Sequence, residues 1–492
     1  VSEPVGTFCL VLHSHLPWLA HHGRWPVGEE WLNQAWAHSY LPLARVLRRL
    51  AEEGRTDLLT LGVTPVLAAQ LDDPHTLSGV HDWLGDWQLR AHQAGGALGA
   101  HEHRESTQAL SDFETHWRHG GSPVLRDLAQ HGAVELLGGP LAHPFAPLLD
   151  PRLRSLSLEQ GLRDGETRWG SRPEGIWAPE CAYAPGMEQG YATAGVRRFL
   201  VDGPALHGRT SAARPVGRSD VLAFGRDLEV SYRVWSPRAG YPGSAEYRDF
   251  HTYDHDTGLK PSRVTGRHVD PHEKAPYDPE LAAGAVARDA ADFVAVVRRR
   301  LQDLARTDGR PGLVVAAYDT ELFGHWWHEG PAWLEAVLRL LPGAGVRVST
   351  LRGAVEAGHV GAPVELGPSS WGSGKDWRVW QGEGVRDLVD LNAEVVRTAL
   401  EAVDLLVKEP GRSPVADQIL REALLAVSSD WAFMVTKDSA VDYARTRART
   451  HAHAVFEIAH AAATGGPAAE LAARWRRADG PFPALDARLL PS

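Results

Sequence analysis

The chain is poor in sulfur: of its 492 residues only two are cysteine and two methionine. Cys9 and Cys181 both fall in apolar, strand-like stretches, so no disulfide framework is implied and each reads as a buried thiol. Long apolar runs are missing as well. No segment approaches the roughly 20 residues that cross a bilayer. The N-terminus has no basic region leading into an apolar stretch, because Phe8 to Leu12 is short and runs into His13. A cytoplasmic protein with no membrane partner is expected. A basic excess is also absent: 62 acidic residues against 51 basic ones leave a formal net charge of -11. That balance argues against nucleic acid as a partner and favours a neutral ligand. Lysine is scarce, 5 against 46 arginines, a bias in keeping with a GC-rich genome. There is no internal repeat and no long low-complexity tract.

Tryptophan, by contrast, is abundant: 18 residues against 10 Tyr and 11 Phe. Its indole N–H needs a partner when buried. Trp36, Trp333 and Trp475 lie on helical patterns and are candidates for the core. Trp18, Trp25, Trp371, Trp377 and Trp380 sit in polar, Gly-rich segments, where stacking on a sugar ring explains them better than packing. A hydrophobic content of 43% with 23% charged residues is that of a globular protein, and the length allows two or three domains.

The apolar pattern alternates between strand and helix. Strands are expected at Phe8 to Leu12, Leu58 to Val63, Val134 to Leu137, Gly175 to Trp177, Arg198 to Val201, Val221 to Phe224, Leu228 to Tyr232, Leu313 to Tyr318 and Val346 to Ser349. The pair around Gly225-Arg226-Asp227 suggests a hairpin. Helices are expected at Leu41 to Glu53, Ala283 to Thr307 and Pro331 to Leu341, and Gly353 to Gly374 reads as a long loop. So many alternations favour a closed α/β barrel. Residues 76–129 carry no strand signal and read as a helical insertion. From Leu388 the steps to Leu391, Val395, Ala399, Val403 and Leu406 are helical, so the C-terminal part is an α-helical domain. The barrel then comprises 1–75 and 130–365, and the helical domain 366–492.

Each polar motif follows a strand. His13-Ser14-His15-Leu16-Pro17 follows the first, and Pro140-Leu141-Ala142-His143-Pro144 follows Val134 to Leu137. Glu180, between Trp177 and Tyr183, ends the strand at Gly175. Asp319 ends the strand at Leu313 and opens Thr320-Glu321-Leu322-Phe323-Gly324-His325-Trp326-Trp327. The strand ends of an α/β barrel converge on one mouth, where active sites are built. Two carboxylates at such ends, set among aromatics, suggest glycoside chemistry. Other readings stand beside it. His13 and His15 alternate with Ser14 and can face the barrel interior, to touch substrate, tune the acids, cap the strand or, with His143 and an acid, ligate the metal of a metal-dependent hydrolase. Glu321 competes with Asp319, and a glucan-binding protein without catalysis would also keep the tryptophans.

His13-x-His15-x-Pro17, the segment Glu135 to Leu149 with His143, Trp177-Ala178-Pro179-Glu180-Cys181-Ala182-Tyr183, Tyr318 to Trp327, and Ser429-Asp430-Trp431 together resemble the five motif regions of glycoside hydrolase family 57. Within that family the chain is similar to the 1,4-α-glucan branching enzymes. The resemblance implies a distorted (β/α)7 barrel, a helical insertion and an α-helical C-terminal domain. It implies a retaining mechanism with Glu180 as nucleophile and Asp319 as acid/base, and no metal or cofactor. His13, His15, Trp25, His143, Trp177, Trp235, Tyr241, Trp326, Trp371, Trp380 and Asp430 would bind substrate. The partners implied are an α-glucan donor and acceptor, with a monomer as the expected form. Transfer to a glucose 6-hydroxyl gives a branch, to a 4-hydroxyl disproportionation, and to water hydrolysis, so an α-amylase or a 4-α-glucanotransferase are the alternatives within the family. Relatives in GC-rich bacteria are linked to glycogen or to methylated-glucose polysaccharides.

Overall fold

The computed structural model describes residues 3–236 and 239–492; residues 1, 2, 237 and 238 of the expected barrel span lie outside it. Nine strands are present among the described residues: β1 (Gly6–Ser14), β2 (Leu59–Val63), β3 (Val134–Leu137), β4 (Gly175–Ile176), β5 (Arg198–Asp202), β6 (Arg214–Pro215), β7 (Leu222–Arg226), β8 (Gly312–Asp319) and β9 (Val346–Val348). Parallel ladders join β8 to β1, β1 to β2 and β2 to β3 on one side, and β4 to β5 and β5 to β7 on the other. Two thin seams close the ring. Trp177 N–H donates to the Gly138 carbonyl at 3.0 Å, linking β3 to β4, and Asp227 N–H donates to the Val315 carbonyl at 2.8 Å, linking β7 to β8. Seven parallel strands therefore form the wall, and the thin seams distort it. β6 runs antiparallel on β7, and β9 pairs with the first three residues of β1.

Alternation along the strands separates two cores. Phe8, Leu10 and Leu12 of β1 pack outward against the helices, whereas Cys9 and Val11 join Val315, Ala317, Phe224 and Leu200 inside the barrel. Continuing that period brings His13 inward, with Asp319 as its register partner on β8. β1 is buried on both faces along its whole length, as a strand sheathed by helices must be. Gly62 on β2 lies directly beside this row: a Cβ there would be in ordinary contact, 3.6 Å from Trp177 and 3.7 Å from His13 Nδ1.

The helices Pro74–Ala94, Gly96–Asp112 and Gly121–Gln130 fill the span between β2 and β3. The helices Pro279–Asp308 and Gly330–Gly343 flank β8. Beyond β9 the chain is helical from Arg386–Leu406 to Ala468–Arg476. Val395, Ala399 and Val403 are fully buried there, and the same cluster takes in Trp18, Val66, Leu141 and Leu153 from the barrel side. The C-terminal helices are thus packed onto the loops of the mouth.

Two expectations are corrected. Leu228 to Tyr232 is not a strand, and there is no hairpin at Gly225: residues Leu228–Ser231 form a short helix. Asp227 caps it, accepting from Val230 N–H at 3.1 Å and from Arg300 Nε at 2.9 Å, and an N-cap acid overrides the β-propensity of the run that follows. The expected loop Gly353 to Gly374 begins inside the helix Leu351–Glu356.

Polar side chains also face inward at the closed end. Glu135 on β3 accepts from Arg198 Nε on β5 (2.6 Å), from Arg352 N–H (2.8 Å) and from Thr60 Oγ1 on β2 (3.2 Å). Both members of the ion pair are buried, so truncating one strands the other. Glu135→Ala is expected to cost about 3–5 kcal/mol, visible as a lowered thermal unfolding midpoint, whereas Thr60→Val should cost much less.

Candidate active site

Glu180 stands just past β4 with a left-handed backbone (φ 62°), followed by Cys181 at φ 50°; Ala142 and His143 on the neighbouring loop are likewise left-handed, at 58° and 55°. Consecutive non-glycine residues in this region cost free energy and persist only where the surroundings over-determine them. Here they aim Glu180 and His143 at one another across the mouth. Trp371 holds Glu180 twice: its backbone N–H donates to the Glu180 carbonyl, and its indole N–H to Oε2, both at 2.8 Å. Ser429 Oγ donates to Oε1 at 2.7 Å. Burial raises the Glu180 carboxyl to about 7, while the Ser429 and Trp371 hydrogen bonds pull it down. The two donors offset part of the desolvation and favour the charged form.

The histidines form a chain behind this carboxylate. His13 Nε2 meets His143 Nε2 at 3.1 Å, and His143 Nδ1 meets Ser429 Oγ at 2.8 Å. If the Ser429 proton points at Glu180, its oxygen must accept from His143 Nδ1–H. His143 Nε2 is then bare and accepts from His13 Nε2–H, which leaves His13 Nδ1 unprotonated. That atom is indeed buried without a partner. Burial, reinforced by the neighbouring histidines, keeps His13 and His143 well below their usual pKa, so both are neutral at pH 7. Every donor in the chain thus points toward Glu180. His15 belongs to a second pair: Nε2 lies 2.9 Å from Asp430 Oδ2, and Nδ1 takes Thr64 Oγ1 at 2.9 Å. Burial alone would raise Asp430, but His15 and Ser428 hold it down at about 2. It is a fixed negative charge.

Asp319 is different. Among the described residues it accepts no hydrogen bond that would stabilise its charge, and burial followed by the Glu180 charge raises it to about 7. The two carboxyls therefore face one site in contrasting surroundings, one clamped by donors and one free to hold a proton. Glu321 is not its rival. It is buried, accepting from Tyr40 Oη at 2.5 Å and from His15 N–H at 3.1 Å, and it ties the turn after β8 to the loop after β1.

The structure brings His13, His15, His143, Trp177, Glu180, Asp319, Trp371 and Asp430 together. Trp177 is almost fully buried, with one face on His13 (4.4 Å, 9°) and an edge contact to Trp371 (5.0 Å); its ring is site wall rather than sugar platform. Trp25, Trp235 and Trp326 are exposed, at 76%, 50% and 45%. Tyr241 and Trp380 are corrections. Tyr241 is buried between Phe293 and Trp333 with its hydroxyl on Asp292, so its ring faces the outer helix layer. Trp380 is buried flat against Phe145, and its indole N–H donates to the Ser429 carbonyl at 3.2 Å. It orients Ser429 instead of offering a stacking face. Trp18 is buried too, donating to the Ala478 carbonyl. Ser429, Tyr40, Thr64 and Arg226 were missed as site residues. Arg226 lies 5.3 Å from the Trp371 ring and pairs with Asp202 at 2.8 Å. Its place is legible only once β7, which it ends, is known to point at the mouth.

His15, His143 and Asp430 offer ligand atoms close enough to share a metal ion. Yet both His143 nitrogens are engaged by His13 and Ser429, and His15 and His143 stack face to face at 3.7 Å. A metal would have to break the chain that supports Glu180, so the donor set fits a hydrogen-bonded relay better than a coordination sphere.

Comparison with known proteins follows the same lines. Residues 9–359 match the family model of glycosyl hydrolase family 57, and residues 393–490 that of the 1,4-alpha-glucan branching enzyme C-terminal region. The chain is 62% identical over 521 aligned residues to a probable 1,4-alpha-glucan branching enzyme of Mycobacterium tuberculosis, covering 100% of this chain and 99% of the relative. It is 33% identical to the 1,4-alpha-glucan branching enzyme of Thermococcus kodakarensis, over 92% of this chain and 73% of the other. The crystal structure of that archaeal branching enzyme superposes with a TM-score of 0.94 at 29% identity, covering 99% and 97% of the two chains. The alpha-amylase AmyC of Thermotoga maritima superposes with a TM-score of 0.86 at 26% identity, covering 99% of each.

A pH prediction follows from Asp319. Its folded pKa of about 7 lies above the value of about 3.9 in an unfolded chain. The associated stability is fully present below pH 4 and is lost as pH rises through 7. Asp319→Asn removes that loss. The variant should melt above wild type at pH 8, and the two should converge near pH 4, as read by calorimetry across that range.

Proposed function

The chain belongs to glycoside hydrolase family 57, and we infer that it is a 1,4-α-glucan branching enzyme in which Glu180 is the nucleophile and Asp319 the acid and base. The observation that carries the assignment of roles is the contrast between the two carboxyls. Trp371 and Ser429 hydrogen-bond the Glu180 carboxylate, whereas Asp319 accepts no hydrogen bond from a described residue and only the His15 and Arg226 charges favour its ionised form. Ionised Glu180 attacks the anomeric carbon of an α-1,4-linked glucosyl unit while Asp319 gives its proton to the departing oxygen. A β-glucosyl ester forms on Glu180. Asp319, now a carboxylate, takes the proton of an acceptor 6-hydroxyl, whose oxygen attacks the same carbon and frees Glu180. Two inversions retain the α configuration, and the bond made is α-1,6.

The same pair serves hydrolysis when water is the acceptor. On this reading the difference between transfer and hydrolysis lies outside the carboxyls, in what surrounds the acceptor. The α-glucan serves as both donor and acceptor. A cytoplasmic location accords with two free, buried cysteines and no helix among the described residues long and apolar enough to cross a membrane.

Incubation with amylose, followed by debranching and chain-length analysis, tests the reading. New α-1,6 links should outnumber new reducing ends; a dominance of reducing ends would make the chain a hydrolase. Glu180→Gln should lower turnover by about 10³ or more while glucan binding persists. Ser429→Ala removes a donor that lowers the Glu180 pKa, so the acid limb of the pH–rate profile should move to higher pH. A limb that stays in place would remove Ser429 from the support of Glu180.

A further inference from the structure

A second pocket opens on the far end of the turn that starts at Asp319. It lies between the helix Pro74–Ala94, the segment 248–260 and residues 324–328, as an open depression with a cavity volume of about 70 Å³. None of its lining residues belongs to the carboxylate and histidine cluster described above. It is connected to that cluster all the same: Trp326 N–H donates to the Glu321 carbonyl, and Ser39 Oγ, next to His38, donates to the Thr320 carbonyl at 2.9 Å.

The walls are aromatic and the edges polar. Trp326 is half exposed and tilted against Phe250 at 4.5 Å, and the Lys260 ammonium stands 3.5 Å from the Phe250 ring centre. Deeper in, Trp83 and Trp87 spend their indole N–H groups on Glu30 and Glu102 and meet the His38 ring edge-on. The imidazoles of His38, His325 and His328 make no hydrogen bond to any described side chain or backbone group, although all three line the pocket. Burial keeps His325 near 3 and the other two well below the usual range, so all are uncharged at pH 7. A neutral imidazole offers one donor and one acceptor. A sugar hydroxyl offers the same pair, whereas a phosphate only accepts. Lys260 is itself pushed down to about 7 by burial and by Arg248, which weakens the case for an anion further.

We propose that this pocket is a carbohydrate subsite for the acceptor glucan, with Trp326 as the stacking face and His38, His325 and Lys260 as hydroxyl partners. The proposal rests on the branching reading and deepens it. The acceptor side follows from position: the pocket hangs on the turn that leaves Asp319, the group assigned to the departing and incoming oxygen. Holding an acceptor chain there would keep a sugar hydroxyl, rather than water, near Asp319 when the glucosyl ester is present.

The test has a structural and a kinetic arm. Crystals of the Glu180→Gln enzyme soaked with maltohexaose should show glucosyl units on Trp326. In wild-type enzyme, Trp326→Ala and, separately, Lys260→Met should each raise the maltoheptaose concentration for half-maximal transfer about fivefold to tenfold, with kcat changed by less than about twofold, as for a contact equal in ground and transition states. An empty pocket in the soaked crystals, or half-saturation unchanged in both variants, would overturn the proposal while amylose branching by the wild type left the function standing. Inorganic phosphate seated in the pocket and displaced by no oligosaccharide would overturn it as well. A wild type that bound sugar there but made no branches would instead sink the functional reading and leave the pocket a sugar site.

Discussion

The proposed nucleophile is a buried carboxylate, and donors from distant segments of the chain offset part of the cost of its charge. Glu180 is 8% exposed, and burial alone would hold it protonated. The compensating donors come from a distance in sequence: Trp371 from the segment after the barrel, Ser429 from the C-terminal helices. The barrel by itself therefore presents a nucleophile without its support. Packing of the helical region on the mouth, through Trp18, Val66, Leu141 and the fully buried face of Arg386–Leu406, is what delivers these donors. The antiparallel bridges of Pro144 with Ser428 and of Tyr183 with Ser369 fix the two supplying segments beside the loops they serve.

The same constraint explains the histidines. His13 and His143 are neutral, buried and ordered by tautomer, so they pass a succession of donors toward Ser429 without adding a charge that would compete with the reaction. His15 and Asp430 form a separate pair in which Asp430 holds a fixed negative charge. The Asp430 charge raises the carboxyls of both Glu180 and Asp319, and at Asp319 the larger effect of His15 opposes it. The strained loops carrying His143 and Glu180 are the conformational cost of bringing these groups into line.

Much of this was legible in the sequence, and the rest was not for identifiable reasons. The strands of the barrel wall are short apolar runs ended by polar residues, and alternation alone turns His13 and Asp319 inward. The motif ends correctly converge on one mouth. What misled was local propensity at Leu228 to Tyr232, where the capping carboxylate of Asp227 made a helix. Tryptophans in Gly-rich segments also misled. Trp380 and Trp18 are buried because their partners, the carbonyls of Ser429 and Ala478, lie 49 and 460 residues away. Ser429 lies in one of the motifs that carry the family resemblance, but its role, like that of Tyr40, emerges only from contact with Glu180 or Glu321.

The central claim is that Glu180 carries the glucosyl unit between donor and acceptor. α-Glucosyl fluoride has a leaving group that needs no proton, so Asp319→Asn enzyme can be loaded with it but released only slowly. Peptide mass spectrometry of the quenched protein should find one glucosyl unit esterified to the peptide bearing Glu180. A glucosyl unit on Glu321 or Asp430 instead, or release of β-glucose with no adduct at any time point, would contradict the account.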